Sequence, residues 1–285
     1  MRDVAWLRSK LVVAFDAGSV SGAALARGFG SPRLKHLSRV TLEPGALAPS
    51  PLETNLVRRE EVLEALARML AEVGGAGNAA TLILPDGLAR AQVLELPPGV
   101  EPGEYARFRL VPGLPFPASE AVVDVQALGG RRCLGVAVRR SVVESYEALA
   151  TAAGLVVERV DLAPMAALEG LRQKAAADPS TVDVILGDVA LSLLAWREGG
   201  LRVLRSRRRD SGPGEASRLR DEAARTATMA GDGLMPRVRV VGPGATVLVK
   251  ELRSLGARAE LGWTATGEAL AFEAAEVPWL GVALA

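Results

Sequence analysis

One pattern occurs twice in the chain and constrains its fold more than any other. Leu11-Val12-Val13-Ala14-Phe15 is a continuous apolar run that stops at Asp16-Ala17-Gly18-Ser19, and residues 22–27 read as a returning strand. The second half repeats the arrangement. Residues 182–186 form an apolar run ended by Gly187, and 190–197 with 201–205 read as a hairpin around Glu198-Gly199-Gly200. Short apolar runs bounded by turn residues fit strands buried on both faces, and glycine-containing turns close hairpins. Two halves that open alike predict a duplicated α/β architecture with a cleft between the halves.

The intervening segments fill in this plan. Val62, Leu63, Leu66, Met69, Leu70 and Val73 recur at helical spacing over 59–73, and Gly74-Gly75 ends the helix. Pro44, Pro49 and Pro51 mark the loop before it. Strands are predicted at 80–84, 91–96, 121–127 and 134–138, then a helix over 142–153 with Ser141 as its N-cap and Gly154 as its stop. A strand over 155–160 precedes a helix capped by Asp161 and running to 171, and the polar stretch 173–180 reads as the boundary between halves. After the second hairpin come a helix over Glu215–Met229, a strand over 238–241, the turn Gly242-Pro243-Gly244 and a helix over 245–255.

Composition removes several classes of function. With 285 residues, 49 % of them hydrophobic and 24 % charged, the chain can bury one large core or two modest ones. A formal charge of +1 supplies no global field for nucleic acid or anionic lipid. Cys133 is the only cysteine, which excludes an internal disulfide framework and a cysteine-rich zinc site, and it reads as a small buried hydrophobe. The only histidine, His36, leaves carboxylates alone to build a metal site. It lies in what reads as a polar, exposed connection. Gly18-Ser19-Val20-Ser21-Gly22 carries valine where a serine-hydrolase elbow needs its nucleophile, so hydrolase chemistry is excluded. No apolar stretch reaches the roughly 18 to 20 residues of a membrane span; the longest candidate, 182–196, contains Asp183 and Asp188. Residues 1–10 lack a secretory signature, and a cytoplasmic location is expected. Arg205, Arg207, Arg208 and Arg209 form the densest charge run, which could contact acidic lipid headgroups or an acidic partner but reads first as a solvated strand end partly offset by Asp210. No aromatic residue interleaves it, against a single-stranded nucleic-acid platform.

Two turns have the composition of anion sites. In Asp16-Ala17-Gly18-Ser19, glycine lets backbone N–H groups approach a phosphate while the carboxylate holds a water on Mg²⁺. The alternative is a tight strand-to-strand turn in which the aspartate bonds its own backbone. Gly242-Pro243-Gly244 lies between a strand and a helix, where a helix N-terminus attracts anions, but proline removes one N–H donor.

Ordered segments across the chain resemble the PilM family of pilus assembly proteins. They are Phe15-Asp16-Ala17-Gly18-Ser19, Leu114-Pro115-Phe116-Pro117 with 120–126, Val136-Ala137-Val138-Arg139-Arg140, Ala152-Ala153-Gly154-Leu155, 160–166, Val240-Val241-Gly242-Pro243-Gly244-Ala245 and the closing 279–285. The resemblance implies an actin-like, ribonuclease H-like duplicated α/β fold related to the division protein FtsA. It also implies a subdomain inserted in the first half. Residues 1–77 with 154–180 would form the first core, 78–153 the insertion, and 181–285 a second core lacking most of its helical outer subdomain. It further implies a protein at the cytoplasmic face of the inner membrane. Its partners would be the N-terminal tail of a PilN-like membrane protein, held in a groove between the insertion and the first core, and other pilus inner-membrane proteins. No nucleic-acid partner is implied, and the oligomeric state is left open.

The same resemblance implies a nucleotide site at Asp16, Gly18, Ser19, Gly187, Asp188, Gly242 and Gly244, from which this sequence departs. Ala23 stands where the family has a phosphate-facing lysine, Ile185 where its second phosphate motif has aspartate, and Pro243 interrupts the glycine run. Only 211–217 separate Asp210 from the next helix, where the family carries a helical wall of the adenine pocket. The reading is therefore a pseudo-ATPase scaffold with no cofactor, ATP and Mg²⁺ being held only if the altered site is still competent. The alternatives are an ATP-binding switch using Asp16, Gly18, Ser19 and Asp188, and a component resembling the cytoplasmic part of the type II secretion L protein.

Overall fold

The computed structural model describes residues 11–26, 33–52, 54–74, 77–175, 180–231 and 235–262. The chain runs β1 (Leu11–Asp16), β2 (Ser19–Ala26), β3 (Arg33–Thr41), α1 (Arg59–Val73), β4 (Ala79–Leu84), β5 (Ala89–Glu95), α2 (Pro102–Leu110), β6 (Ala121–Gly129), β7 (Arg132–Arg139), α3 (Arg140–Ala152), β8 (Val156–Leu162) and α4 (Ala163–Ala175). The second half follows with β9 (Ser180–Leu186), β10 (Ala190–Arg197), β11 (Gly200–Arg208), α5 (Glu215–Met229), β12 (Arg237–Val241), α6 (Ala245–Ser254) and β13 (Ala259–Leu261). These elements form two compact units, 11–88 with 140–170 and 89–139 with 171–262.

The first unit is built on a sheet of order β3-β2-β1-β4-β8. β2 runs antiparallel to both β1 and β3, while β4 runs parallel to both β1 and β8. Every residue from Leu11 to Phe15 is buried, as the unbroken apolar run requires of a central strand. The apolar stripe Val62, Ala65, Leu66, Met69 and Val73 of α1 is buried, and the helix packs against β2 and β3. Gly22 leaves room for the Met69 thioether, which a Cβ there would displace. On α3, Tyr146 is fully buried, its ring centroid 5.2 Å from that of Phe15, and its hydroxyl donates to Asn55 Oδ1 at 3.3 Å.

Burial, and secondarily the charge of Asp16, push the Tyr146 hydroxyl far above the usual phenol range. A folded-state value above the unfolded one gives stability that is complete below about pH 10 and lost as the pH rises further. Tyr146 phenolate absorbance is therefore expected to emerge together with loss of helical circular dichroism in an alkaline titration. With Tyr105, the chain's other tyrosine, replaced by phenylalanine, phenolate appearing while the fold persists would contradict this burial.

The second unit contains two sheets. The smaller, β5-β7-β6, is covered by α2, with Leu94, Ala106, Leu110, Cys133 and Ala137 as its core. Burial pushes the Cys133 thiol up, with a smaller contribution from Glu101, as suits a packing residue. The larger sheet, β11-β10-β9-β12-β13, repeats the first unit's sheet strand for strand, including the two antiparallel and two parallel pairings. Val182, Val184, Leu186, Val238 and Val240 share one core cluster with Leu219, Ala223, Leu248 and Leu252 of α5 and α6.

The intervening residues of these strands point to the opposite face. There Asp183 receives Arg239 Nε on Oδ1 at 2.5 Å and Nη2 on Oδ2 at 2.7 Å. Trp196 Nε1 adds a third bond to Oδ2 at 2.6 Å, and Arg239 Nη2 also reaches the Leu171 carbonyl at 3.4 Å. Burial pushes the Asp183 carboxyl up, and the guanidinium opposes it.

Several elements differ from the sequence reading. β4 pairs with β1 and α3 packs on β8, so residues 79–84 and 140–152 lie with the first sheet, and the inserted sheet spans 89–139. Ser141 is not an N-cap, because α3 starts at Arg140 directly from β7. Asp161 lies in β8, where its carboxylate accepts the Leu162 N–H and pairs with Arg159 at 2.8 Å. The connection holding His36 is the edge strand β3, with His36 exposed and opposite Ala24. Helix α2 and strand β13 were not anticipated. Much of the 173–180 boundary and the closing 279–285 segment lies outside the described residues.

Candidate functional site

The residues singled out as a nucleotide site are divided between the units, Asp16, Gly18 and Ser19 in the first and Gly187, Asp188, Gly242 and Gly244 in the second. In the first, Asp16 and Ser19 are paired across β1 and β2, leaving Ala17-Gly18 as a two-residue turn. Asp16 Oδ1 accepts the Ala17 N–H at 2.8 Å, turning the carboxylate onto its own loop. The buried Ser19 hydroxyl accepts from Arg39 Nε at 3.0 Å, and the Gly18 carbonyl accepts from Leu42 N–H at 2.9 Å. Ala23 is fully buried in the middle of β2, between Val12 and Leu37, and offers no charge to any ligand.

In the second unit, Gly187 and Gly242 end the parallel neighbours β9 and β12. The carboxyl ends of parallel strands are where open α/β sheets receive ligands. Gly242 adopts φ 112°, and a Cβ there would lie 2.1 Å from the Leu186 carbonyl oxygen, so only glycine permits the two strand ends to approach this closely. Gly244, at φ 81°, precedes α6 as its N-cap residue without a side-chain cap. Ile185 is buried within β9 and supplies no carboxylate, while Asp188 is half-buried beyond Gly187.

A residue that the sequence placed on a wet surface lies here instead. The side chain of Arg209 is only 8 % exposed. Its Nε donates to Glu215 Oε1 at 2.8 Å and its Nη1 to the Gly187 carbonyl at 2.9 Å. Its Nη2 comes within 3.5 Å of the position a Cβ on Gly244 would take. The guanidinium thus lies against both the Gly187 loop and the Gly242–Gly244 turn, paired with a carboxylate of its own chain. Residues 209–214 alone connect β11 to α5. Of the rest of the arginine run, Arg205 and Arg207 pair with Glu222 on α5, and Asp210 pairs with Arg218 at 3.3 Å.

In the first unit, position 23 is a buried alanine and carries no cation for a phosphate. In the second, Ile185 carries no carboxylate for a metal ion, Pro243 has no N–H to donate, and the guanidinium against the glycine turns is bound to Glu215. Among the described residues no group of three histidine, cysteine, aspartate or glutamate side chains is placed to hold a metal ion. No helix among them is long and apolar enough to cross a membrane.

No protein-family model and no curated protein matches the chain. Solved structures do. A chain of the PilM–PilN type IV pilus biogenesis complex is 18 % identical at a TM-score of 0.79, covering 97 % of this chain and 98 % of that one. A Bacteroides thetaiotaomicron protein with an actin-like ATPase fold is 10 % identical at a TM-score of 0.62, covering 100 % and 99 %. The cytoplasmic domain of EpsL, an inner-membrane component of the Vibrio cholerae type II secretion system, is 12 % identical at 0.52, covering 91 % and 85 %. The chain therefore has the actin-like fold, in an arrangement that matches a chain of the PilM–PilN complex along almost its whole length.

Proposed function

We propose that this protein is a non-catalytic scaffold of a type IV pilus assembly complex, peripheral to the cytoplasmic face of the inner membrane. In this reading it binds the N-terminal tail of a PilN-like membrane protein and holds other pilus inner-membrane components, without hydrolysing ATP. The observation carrying the proposal is the Arg209–Glu215 pair against the Gly187 loop and Gly242–Gly244 turn, in an architecture shared with a chain of the PilM–PilN complex. An actin-like fold with those turns filled from within keeps its surfaces for partners while losing the features that grip a nucleotide. Docking a short tail in a preformed groove requires shape and hydrogen bonds, not a catalytic group. The likeness to the EpsL cytoplasmic domain supports the same role in a secretion system as the second reading.

The test is capture of the cognate tail. Immobilised protein is expected to retain a peptide comprising the N-terminal cytoplasmic residues of a PilN-like protein from the same organism. It should not retain a scrambled peptide of equal composition. Equal retention of both, or of neither, would remove the scaffold reading.

A further inference from the structure

Four arginines border one cavity of the second unit. It measures about 680 Å³ and lies against β5 and β11, lined by 90–93, 202–207 and Met229. Arg90 comes to it from β5, and Arg202, Arg205 and Arg207 come from β11. Arg132 Nη1 on the Leu201 carbonyl, at 3.2 Å, ties β7 of the small sheet to the start of β11.

The chain's own carboxylates do not balance this charge. Arg90 Nη1 donates to a carbonyl, that of Gly113, at 2.9 Å. Arg202 shares Glu198 with Arg197, at 3.0 and 4.0 Å. Arg205, Arg207 and Arg225 share the single carboxylate of Glu222. Among the described residues, these six guanidinium groups therefore meet two carboxylates, in a chain whose formal charge is only +1. The Nε of Arg202 is buried and has no hydrogen-bond partner among them. A buried donor left unpaired is unfavourable, so this wall is short of acceptors.

The rest of the lining is partly apolar. Met229 is 61 % exposed, and Val93 and Val203 are half-buried. An exposed methionine adapts its shape to whatever packs on it. The complementary surface brings several carboxylates with an apolar side chain beside them.

We infer that this cleft docks an acidic segment of a partner protein, its carboxylates on the arginines of β5 and β11 and one apolar side chain against Met229. The contact is made by side chains and needs no backbone pairing with either strand. Charge complementarity selects the partner and speeds the encounter, and guanidinium–carboxylate bonds hold it. A second copy of this chain does not supply the segment, because its sequence has no run of more than two acidic residues. No aromatic side chain lines the cavity, so it offers no stacking platform for nucleic-acid bases. The inference does not depend on the PilN-like reading, whose groove is expected beside the first core.

The probe is a fluorescein-labelled heptapeptide with one leucine between two runs of three aspartates, followed by anisotropy. Saturable binding is expected, weakened about tenfold between 50 and 300 mM salt. Replacing its aspartates with asparagine is expected to weaken it by about tenfold or more, and replacing its leucine with glycine by about fivefold. Arg202→Gln/Arg207→Gln is expected to cost about tenfold. Lys250→Gln/Arg253→Gln, an equal loss of charge outside the cavity lining, is expected to cost less than about twofold. Should the first double variant not fold, Arg90→Gln, at an exposed residue, is expected to cost about threefold. No saturable binding, equal binding of the asparagine or glycine probe, or equal weakening by the two double variants would overturn the proposal. Tighter binding of a labelled oligothymidylate of equal charge would overturn it too, by making the cleft a nucleic-acid site.

Discussion

Asp183→Ala is expected to lower the stability of the second unit by about 3–5 kcal/mol, the cost of breaking a buried ion pair from one side. Asp183 has no exposure and Arg239 only 3 %. The carboxylate takes both guanidinium bonds and the Trp196 N–H, so its removal strands one full charge and one indole donor in the sheet interior. Domains are stable by about 5–15 kcal/mol in total, so a loss of this size moves the urea midpoint sharply. The companion variant Asp183→Leu/Arg239→Met removes both charges and keeps apolar volume. It is expected to lie within about 1–2 kcal/mol of the parent, because a buried pair is costly to break and not costly to replace. Urea unfolding followed by circular dichroism checks both. Equal losses in the single and double variants would mean that packing, not charge compensation, sets the energetics there.

Arg209→Ala is expected to cost about 2–3 kcal/mol, since it leaves the Glu215 carboxylate and the Gly187 carbonyl without their donor at a nearly closed position. Glu215→Ala is expected to cost about 2 kcal/mol for the same reason in reverse. The double variant should lose less than the sum of the two, by about 1–2 kcal/mol, because the second truncation removes a partner already missing. Simple additivity would show that the two groups do not act as a pair. Opening the turns in this way is not expected to create a nucleotide site, because Ala23 and Ile185 still lack the charges that grip phosphate and metal. Arg209→Ala should therefore remain silent to ATP–Mg²⁺ in calorimetry.

The legible parts of this fold are those in which local chemistry and tertiary packing agree. Helix α5 falls where the sequence places it, and Ala216, Leu219, Ala223 and Ala227 form its buried stripe. The apolar runs of β1 and β9 mark the centres of the two large sheets because both faces of those strands are covered. Helix α2 was not legible from its pattern, since only Ala106 and Leu110 of it are buried. The available cue was terminal: Pro102 in the first turn, and Glu101 accepting the Glu104 N–H at 2.7 Å. β3 was missed because its exposed positions carry Lys35, His36 and Arg39 and a bulge opposite Ala24/Leu25 breaks its alternation. Arg209 reads as the last member of a wet arginine run, and only the pairing of β10 with β11 brings it to the end of β9. Asp183 and Arg239 are 56 residues apart, and the parallel pairing of β9 with β12 joins them. A charge inside an otherwise apolar strand was the available signal for each.

The proposed loss of nucleotide chemistry and the actin-like fold have a common physical basis. The glycines that let β9 and β12 end close together are retained, so the sheet keeps its geometry, while the neighbouring space is taken by a guanidinium–carboxylate pair. Isothermal titration calorimetry of the full chain with ATP and Mg²⁺ tests this most directly. The account predicts no saturable heat with ATP up to several millimolar, and a dissociation constant below one millimolar would contradict it.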